Sequence, residues 1–202
     1  MRYPKLRELK EAVKALIKGP YTSKFPFQPH KPFEGFRGKP QFFEKDCVGC
    51  TACVNVCPSG ALSFEDRVEN GKGSRLLTRR LDICIFCGQC QANCLTGEGI
   101  KLTQEFDLAI LGKRDELAET IEKELVLCAG CLEIIAPADQ IKWVAKKLGP
   151  LTFSNASLML YYLAEKGLSY INSFLSKETS ASRKDRIKLL CPKCRRLAVI
   201  KS

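Results

Sequence analysis

Twelve cysteines constrain this chain more than any other feature of its sequence. They all stand in close-spaced groups: Cys47, Cys50, Cys53 and Cys57; Cys84, Cys87, Cys90 and Cys94; Cys128 and Cys131; Cys191 and Cys194. Disulfide frameworks belong mainly to short secreted domains, whereas this sequence has 202 residues and begins with no apolar signal segment. Its only histidine is His30, so zinc sites that combine cysteine and histidine ligands are disfavoured. The pattern indicates metal or iron–sulfur ligation in a reducing compartment.

The first eight cysteines form two copies of one motif. Each copy reads Cys-x2-Cys-x2-Cys-x3-Cys, and moving the first copy 37 positions along the chain superposes Cys47 on Cys84 and Cys57 on Cys94. In this spacing three cysteines bind one cluster and the fourth reaches the other. The motif therefore predicts two 4Fe–4S clusters with crossed ligands: Cys47, Cys50, Cys53 and Cys94 at cluster one, and Cys84, Cys87, Cys90 and Cys57 at cluster two.

Two details qualify this interpretation. Leu95 stands where a proline usually follows the fourth cysteine, but proline is not a ligand, so we expect two 4Fe–4S clusters all the same. Pairing the eight cysteines as zinc knuckles is the weaker alternative, because the third cysteine of each copy would be superfluous. Several basic residues near the motifs would raise a cluster's reduction potential if they approached it, and are otherwise solvated charges: Arg67, Arg75, Arg79, Arg80 and Lys101.

The last four cysteines form two Cys-x2-Cys pairs, Cys128 with Cys131 and Cys191 with Cys194. Two such pairs typically close a tetrahedral four-thiolate site with no open coordination position. Zinc is the expected metal, since it needs no redox role; mononuclear iron fits the same geometry, and unmetallated thiols are the remaining alternative. We expect this site to be structural and to hold the C-terminal half together.

Hydropathy argues against a membrane-spanning protein, and the net charge leaves several kinds of binding partner open. No apolar run approaches the roughly 20 residues of a membrane-spanning helix. The formal net charge is +11 with every cysteine counted as neutral, and bound thiolates would remove much of it. The basic residues then suit a shell that compensates anionic clusters, a face for an acidic partner or anionic lipid, or nucleic acid binding.

The order of patterns along the chain predicts an α+β protein in three parts. Residues 1–40 form an N-terminal basic arm and an extended segment. A dicluster ferredoxin domain spans 41–112, and 113–202 form a helical C-terminal extension closed by the four-cysteine metal site. In the arm, Leu6, Leu9, Val13 and Leu16 recur at helical spacing over 5–18.

Local signals fill in the other two parts. Asn70-Gly71 between two strand-like segments predicts a hairpin. Helical patterns run over Asp115–Glu124, Ala138–Leu148 and Ser157–Lys166, and the polar stretch Ser173–Asp185 is expected to be a loop.

The cysteine motifs alone suit many ferredoxins, and their flanking segments narrow the choice. These are Phe36-Arg37-Gly38-Lys39-Pro40, Cys84-Ile85-Phe86-Cys87-Gly88-Gln89-Cys90 and Lys101-Leu102-Thr103-Gln104-Glu105-Phe106-Asp107-Leu108-Ala109. Over roughly residues 33–135 the chain resembles the dicluster ferredoxin-like iron–sulfur subunit of complex I and of group 4 membrane-bound nickel–iron hydrogenases, particularly the formate hydrogenlyase (hydrogenase-4) type.

The resemblance implies an electron-relay subunit with no substrate chemistry of its own. Its donor would be formate dehydrogenase, a ferredoxin or a similar module. Its acceptor would be a nickel–iron hydrogenase or complex I-like core. The implied partners are a hydrogenase small and large subunit pair and an electron-donor iron–sulfur subunit, on the cytoplasmic side of the cell membrane and peripheral to it. The alternatives are a free-standing soluble carrier and a basic zinc-ribbon nucleic-acid binder that carries clusters.

Overall fold

The computed structural model describes residues 5–19, 22–167 and 188–200, and the chain divides into two compact units, 1–36 and 37–202. In the first unit, helix α1 (Leu6–Lys18) confirms the predicted amphipathic helix, and none of its residues is buried. It ends at Gly19, whose φ of 76° a glycine adopts without strain. Residues 22–36 form neither helix nor strand.

The second unit mixes helices and strands, as predicted for an α+β protein. In chain order it contains β1 (Pro40–Phe42), α2 (Ala52–Asn55), β2 (Leu62–Glu69), β3 (Lys72–Arg80), α3 (Gln89–Ala92), β4 (Ile100–Leu102), β5 (Ala118–Leu127), β6 (Ile134–Pro137), α4 (Ala138–Leu148), α5 (Ala156–Glu165) and α6 (Pro192–Ile200). No helix in the described part of the chain is long and apolar enough to cross a membrane.

A two-stranded sheet connects the two ends of the duplicated region. Strand β1 pairs antiparallel with β4. Two further backbone hydrogen bonds extend the pairing: Gly38 N–H donates to Thr103 O at 3.0 Å, and Lys39 N–H donates to Glu105 O at 2.9 Å. The segments before and after the two cysteine motifs, which carry the family resemblance, therefore lie side by side.

The predicted hairpin is confirmed. Strands β2 and β3 pair antiparallel with Glu69 opposite Lys72. The two turn residues between them, Asn70 and Gly71, have φ values of 51° and 75°. Positive φ at both central residues matches the right-handed twist of the flanking strands and is the reason Asn-Gly is favoured there.

The helix predicted over Asp115–Glu124 is wrong. Residues 114–117 form a short 3-10 turn, and strand β5 follows. It pairs with β3 on one side and β6 on the other, so the larger sheet has the order β2-β3-β5-β6. The extension is therefore not purely helical, because the free edge of the hairpin offers β5 backbone partners that a helix would not use.

The remaining helical predictions for the extension fare better. Helix α4 confirms the prediction over Ala138–Leu148, and α5 confirms the prediction over Ser157–Lys166 to within one residue at each end. The loop predicted over Ser173–Asp185 lies outside the described residues.

Two apolar clusters lie among the described residues of the second unit. The larger consists of Phe42, Cys53, Leu62, Leu77, Ile100 and Ile121, with cysteines of both motifs packed against it. The smaller is built around Cys128, Leu190 and Cys191. The core therefore lies where cysteines gather.

Candidate iron–sulfur and metal centres

Two cavities each gather one of the predicted sets of four cysteines. The first is lined by Cys47, Cys50, Cys53 and Cys94. The second is lined by Cys57, Cys84, Cys87 and Cys90. In both cases the fourth cysteine comes from the other copy of the motif, as the crossed ligand sets require. The structure thus brings these side chains together, and the ligation itself stays a prediction.

The two loops curl in the same way although their sequences differ. Positive φ occurs at Gly49 and Thr51 in the first loop, and at the equivalent Phe86 and Gly88 in the second. Each loop contains one glycine and one non-glycine residue at these positions, and the left-handed region costs a non-glycine residue roughly 1–2 kcal/mol. Such reversals turn successive backbone N–H groups toward one side, where they favour a bound anion.

Backbone donors at the fourth cysteines favour the thiolate form that an iron–sulfur cluster needs. Burial raises the pKa of Cys57, but hydrogen bonds from the Leu62 and Ala61 N–H groups and from Ser59 outweigh it, so the pKa is lowered. At Cys94, burial is outweighed in the same way by Thr96 and by the N–H groups of Ile100 and Gly99.

The buried third cysteine shows the opposite effect. Burial, followed by the charges of the neighbouring cysteines, raises the pKa of Cys53 to about 12. Four thiols so close together resist losing their protons together unless a cation binds them. A multiply charged iron–sulfur core fits this chemistry, because it holds its cysteines as thiolates.

The basic residues near the motifs fall into two groups. Arg67 and Arg80, whose side chains are about half exposed, form ion pairs with Glu65 and Asp82, and Lys101 pairs with Glu98. These three therefore remain solvated surface charges.

Four other cations do reach the cluster region. The Nη1 group of Arg75 donates to Gly49 O at 2.9 Å, and Arg79 lines the second cavity. Sequence reasoning missed Lys123, a buried lysine of β5. It also missed Arg37, whose Nη1 donates to Cys87 O at 3.2 Å.

The remaining four cysteines form one site. The Sγ atoms of Cys128, Cys131, Cys191 and Cys194 all lie within 4.8 Å of one another, and those of Cys131 and Cys191 are 3.6 Å apart. Zn–S bonds of about 2.3 Å place the sulfurs of a tetrahedral site roughly 3.8 Å apart. The four-cysteine site therefore exists with a geometry that suits a metal ion.

Backbone contacts join the two halves of this site. Ala129 N–H donates to Leu189 O at 2.9 Å, and Cys191 N–H donates to Cys128 Sγ at 3.2 Å. Burial raises the pKa of Cys128, but backbone donors at Cys191, Cys131 and Gly130 bring it down to about 7. Cys128, one of the two buried cysteines of the site, thus favours the thiolate form that a bound metal requires.

The comparisons with known proteins agree with the sequence resemblance. Residues 46–98 match the family described as "4Fe-4S dicluster domain". The chain is 42% identical over 110 residues to "Formate hydrogenlyase subunit 6" of Escherichia coli (strain K12), covering 54% of this chain and 59% of that protein. It is 32% identical over 100 residues to "NAD(P)H-quinone oxidoreductase subunit I" of Gloeobacter violaceus, covering 48% and 47%. The predicted resemblance is confirmed: residues 46–98 match the dicluster family, and the chain is similar to both of these subunits.

The chain spans only about half to three fifths of the length of these two relatives. A solved structure described as "the membrane-bound sulfane sulfur reductase (MBS), an archaeal respiratory membrane complex" contains a chain with 25% sequence identity. The match covers 58% of this chain and 62% of that chain, with a TM-score of 0.41. At that TM-score the likeness does not bear on how the elements are arranged.

Proposed function

We propose that this protein is an electron-relay subunit of a membrane-associated oxidoreductase complex. The observation that supports it best is the pair of four-cysteine cavities in one dicluster domain, packed against a shared apolar cluster. Each cavity supplies four thiolates, which is a full ligand set for a 4Fe–4S centre. Such centres exchange single electrons, and a chain with two of them can pass an electron from one side to the other.

Cluster one would be held by Cys47, Cys50, Cys53 and Cys94, and cluster two by Cys84, Cys87, Cys90 and Cys57. The protein's own contribution is to hold eight thiolates, aim backbone N–H groups at them and keep Phe42, Leu77 and Ile100 over the first cavity. These apolar side chains exclude water, which influences the potential of a cluster.

We infer the donor and acceptor from the family resemblance. Electrons would come from a formate dehydrogenase, a ferredoxin or a similar iron–sulfur donor subunit, and go to a nickel–iron hydrogenase small and large subunit pair or a complex I-like core. The subunit would be peripheral, on the cytoplasmic side of the membrane. A free-standing carrier is the second candidate function, and purification distinguishes it from a subunit of a complex.

The four-cysteine site would bind zinc and act as a structural clasp. It brings Cys128, at the end of β5, to Cys191, at the start of α6. Closing so long a loop with one metal removes freedom from the unfolded chain, so the free energy of metal binding stabilises the fold.

The test of the proposed function is purification from native membranes in mild detergent with a tag on the full chain. We expect the tagged chain to elute with a nickel–iron subunit pair or a quinone-reductase core. The full chain reconstituted alone should contain about eight iron and eight sulfide, as two cubanes require. Elution as a single small protein with both clusters intact would favour the soluble carrier. Elution without iron and sulfide would contradict an iron–sulfur relay altogether.

A further inference from the structure

Four β3–β5 pairs lie on the inner face of the larger sheet: Gly73 opposite Leu125, and the three pairs that follow it. Between β3 and β5, Arg75 stands opposite Lys123, Leu77 opposite Ile121, and Arg79 opposite Glu119. The middle pair is buried in the larger apolar cluster. The flanking pairs consist of charged residues, and their arginines lie toward different cavities, since Arg79 lines the second one and Arg75 bonds to a loop residue of the first.

Arg79 is 2% exposed, which is unusual for an arginine. Its guanidinium donates to the carbonyl of Pro40 and pairs with Glu119. Its Nε is buried and has no hydrogen-bond partner in the part of the chain that the structure describes. Burial lowers the pKa of Arg79, whereas the charges of Glu119, Cys84 and Cys90 raise it. The contacts with Pro40 and Glu119 hold the guanidinium group at the second cavity, which Arg79 lines.

Lys123 is 6% exposed and lies near the first set of cysteines, where its charge acts on Cys47, although it does not line the first cavity. Its Nζ donates to the carbonyl of Glu44, three residues before the first motif, and pairs with Asp139 of α4 at 3.1 Å. Its stem lies so close to Gly49 that a Cβ there would be 3.3 Å from the lysine Cβ. The ammonium group is thus anchored beside the loop that carries Cys47 and Cys50.

Arg75 and Lys123 are like charges directly opposite each other, an arrangement that destabilises a sheet. Each cation has its own carboxylate, since Arg75 binds Asp66 with two hydrogen bonds of 2.6 and 2.7 Å. Both also contact the first cysteine loop or the segment before it. A bound anionic cluster in that loop would offset the repulsion, which gives a physical reason for two cations at this position.

We propose that Lys123 raises the reduction potential of cluster one and that Arg79 raises that of cluster two, each independently of the other. The inference rests on the proposed function and adds the residues that set its electrostatics. A reduced cluster carries one more negative charge than an oxidised one, so a fixed nearby cation stabilises the reduced form. Both Lys123 and Glu119, the partner of Arg79, come from β5, so this strand completes the environment of both clusters.

The test is an EPR-monitored redox titration of the reconstituted full chain, with each potential assigned to a cluster by the shifted NMR signals of its cysteine β-protons. We expect Lys123→Gln to lower the potential of cluster one by the equivalent of a tenfold change in the reduced-to-oxidised ratio, about 59 mV for one electron, and to leave cluster two unchanged. Arg79→Gln should lower the potential of cluster two by a similar amount and leave that of cluster one unchanged. Lys123→Arg keeps the charge and should restore the potential, and Lys72→Gln, at the exposed hairpin turn, is the matched control.

If Lys123→Gln fails to assemble both clusters, Asp139→Asn replaces it. The carboxylate of Asp139 is 44% exposed, so this variant should fold, and removing the counter-charge should raise the potential of cluster one more than that of cluster two. Equal shifts at both clusters, no shift, or a loss in Lys123→Arg as large as in Lys123→Gln would overturn the inference. A wild-type chain that holds fewer than two clusters would instead count against the proposed function.

Discussion

The backbone N–H of Gly38 donates a 3.0 Å hydrogen bond to the carbonyl oxygen of Thr103, and no side chain fits between the two backbones. A Cβ on Gly38 would stand 2.7 Å from that oxygen and closer still to the Glu105 carbonyl. The glycine is therefore required by close approach. It belongs to one of the segments that carry the resemblance and packs against another.

Gly38→Ala should destabilise the protein by about 2 kcal/mol, because the paired backbones must separate to admit the methyl group. The measurement is the urea midpoint for loss of cluster absorbance. Gly60→Ala is the control, since its φ is 65° but nothing lies within 4 Å of the added Cβ, so only the backbone cost of about 1 kcal/mol applies. An equal loss in both variants would show that the close approach is unimportant.

Cys57→Ser should damage the cluster of Cys84, Cys87 and Cys90 and spare the other, because Cys57 lines the second cavity although it ends the first motif. The duplication offers a matched control, since Cys94→Ser should damage the cluster of Cys47, Cys50 and Cys53 and spare the second. Iron analysis and EPR of both variants measure this. Loss of the nearer cluster in each variant would rule out crossed ligation.

Cys194→Ser should release the bound metal and make the C-terminal half sensitive to protease while both cluster spectra persist. The reason is that the site joins Cys128 and Cys131 to a segment distant in sequence. Metal analysis of the wild type should find one zinc per chain beyond the cluster iron, and Cys57→Ser should retain it. Iron in place of zinc, with a red-region charge-transfer absorption, would reverse the metal assignment.

Deleting residues 1–32 should leave both clusters in place and detach the subunit from its complex. Helix α1 buries none of its residues, and Leu6 and Leu16 are each 85% exposed. A short basic amphipathic helix is suited to a partner groove or a lipid interface. Retention of the subunit after a detergent wash of the membranes is the measurement.

Two double variants separate the contributions of the arm. Leu9→Gln with Val13→Gln removes the apolar stripe and should detach the subunit, while Lys10→Gln with Lys14→Gln keeps the stripe and should not. Detachment by the lysine pair alone would point to anionic lipid instead. A truncated chain that loses its clusters would show that the arm belongs to the core.

Local patterns of the sequence determined much of this protein. The cysteine spacing predicts which eight side chains gather in two cavities, because ligand spacing within a tight loop is a short-range property. Asn70-Gly71 determines its turn, and the 3.6-residue periodicity of α1, α4 and α5 determines those helices. In each case the information lies within about twelve consecutive residues.

Tertiary structure alone decided that β5 is a strand and where its charged side chains lie. Glutamate and lysine around Ile121 favour a helix by propensity, and the alternation that marks a strand is interrupted because the inward position between Ile121 and Leu125 holds Lys123. The strand forms because the edge of β3 supplies backbone partners. A buried lysine is stable there only because Glu44 O, Asp139 and the first cysteine loop meet around it, and those groups are brought together by long-range contacts that no local pattern records.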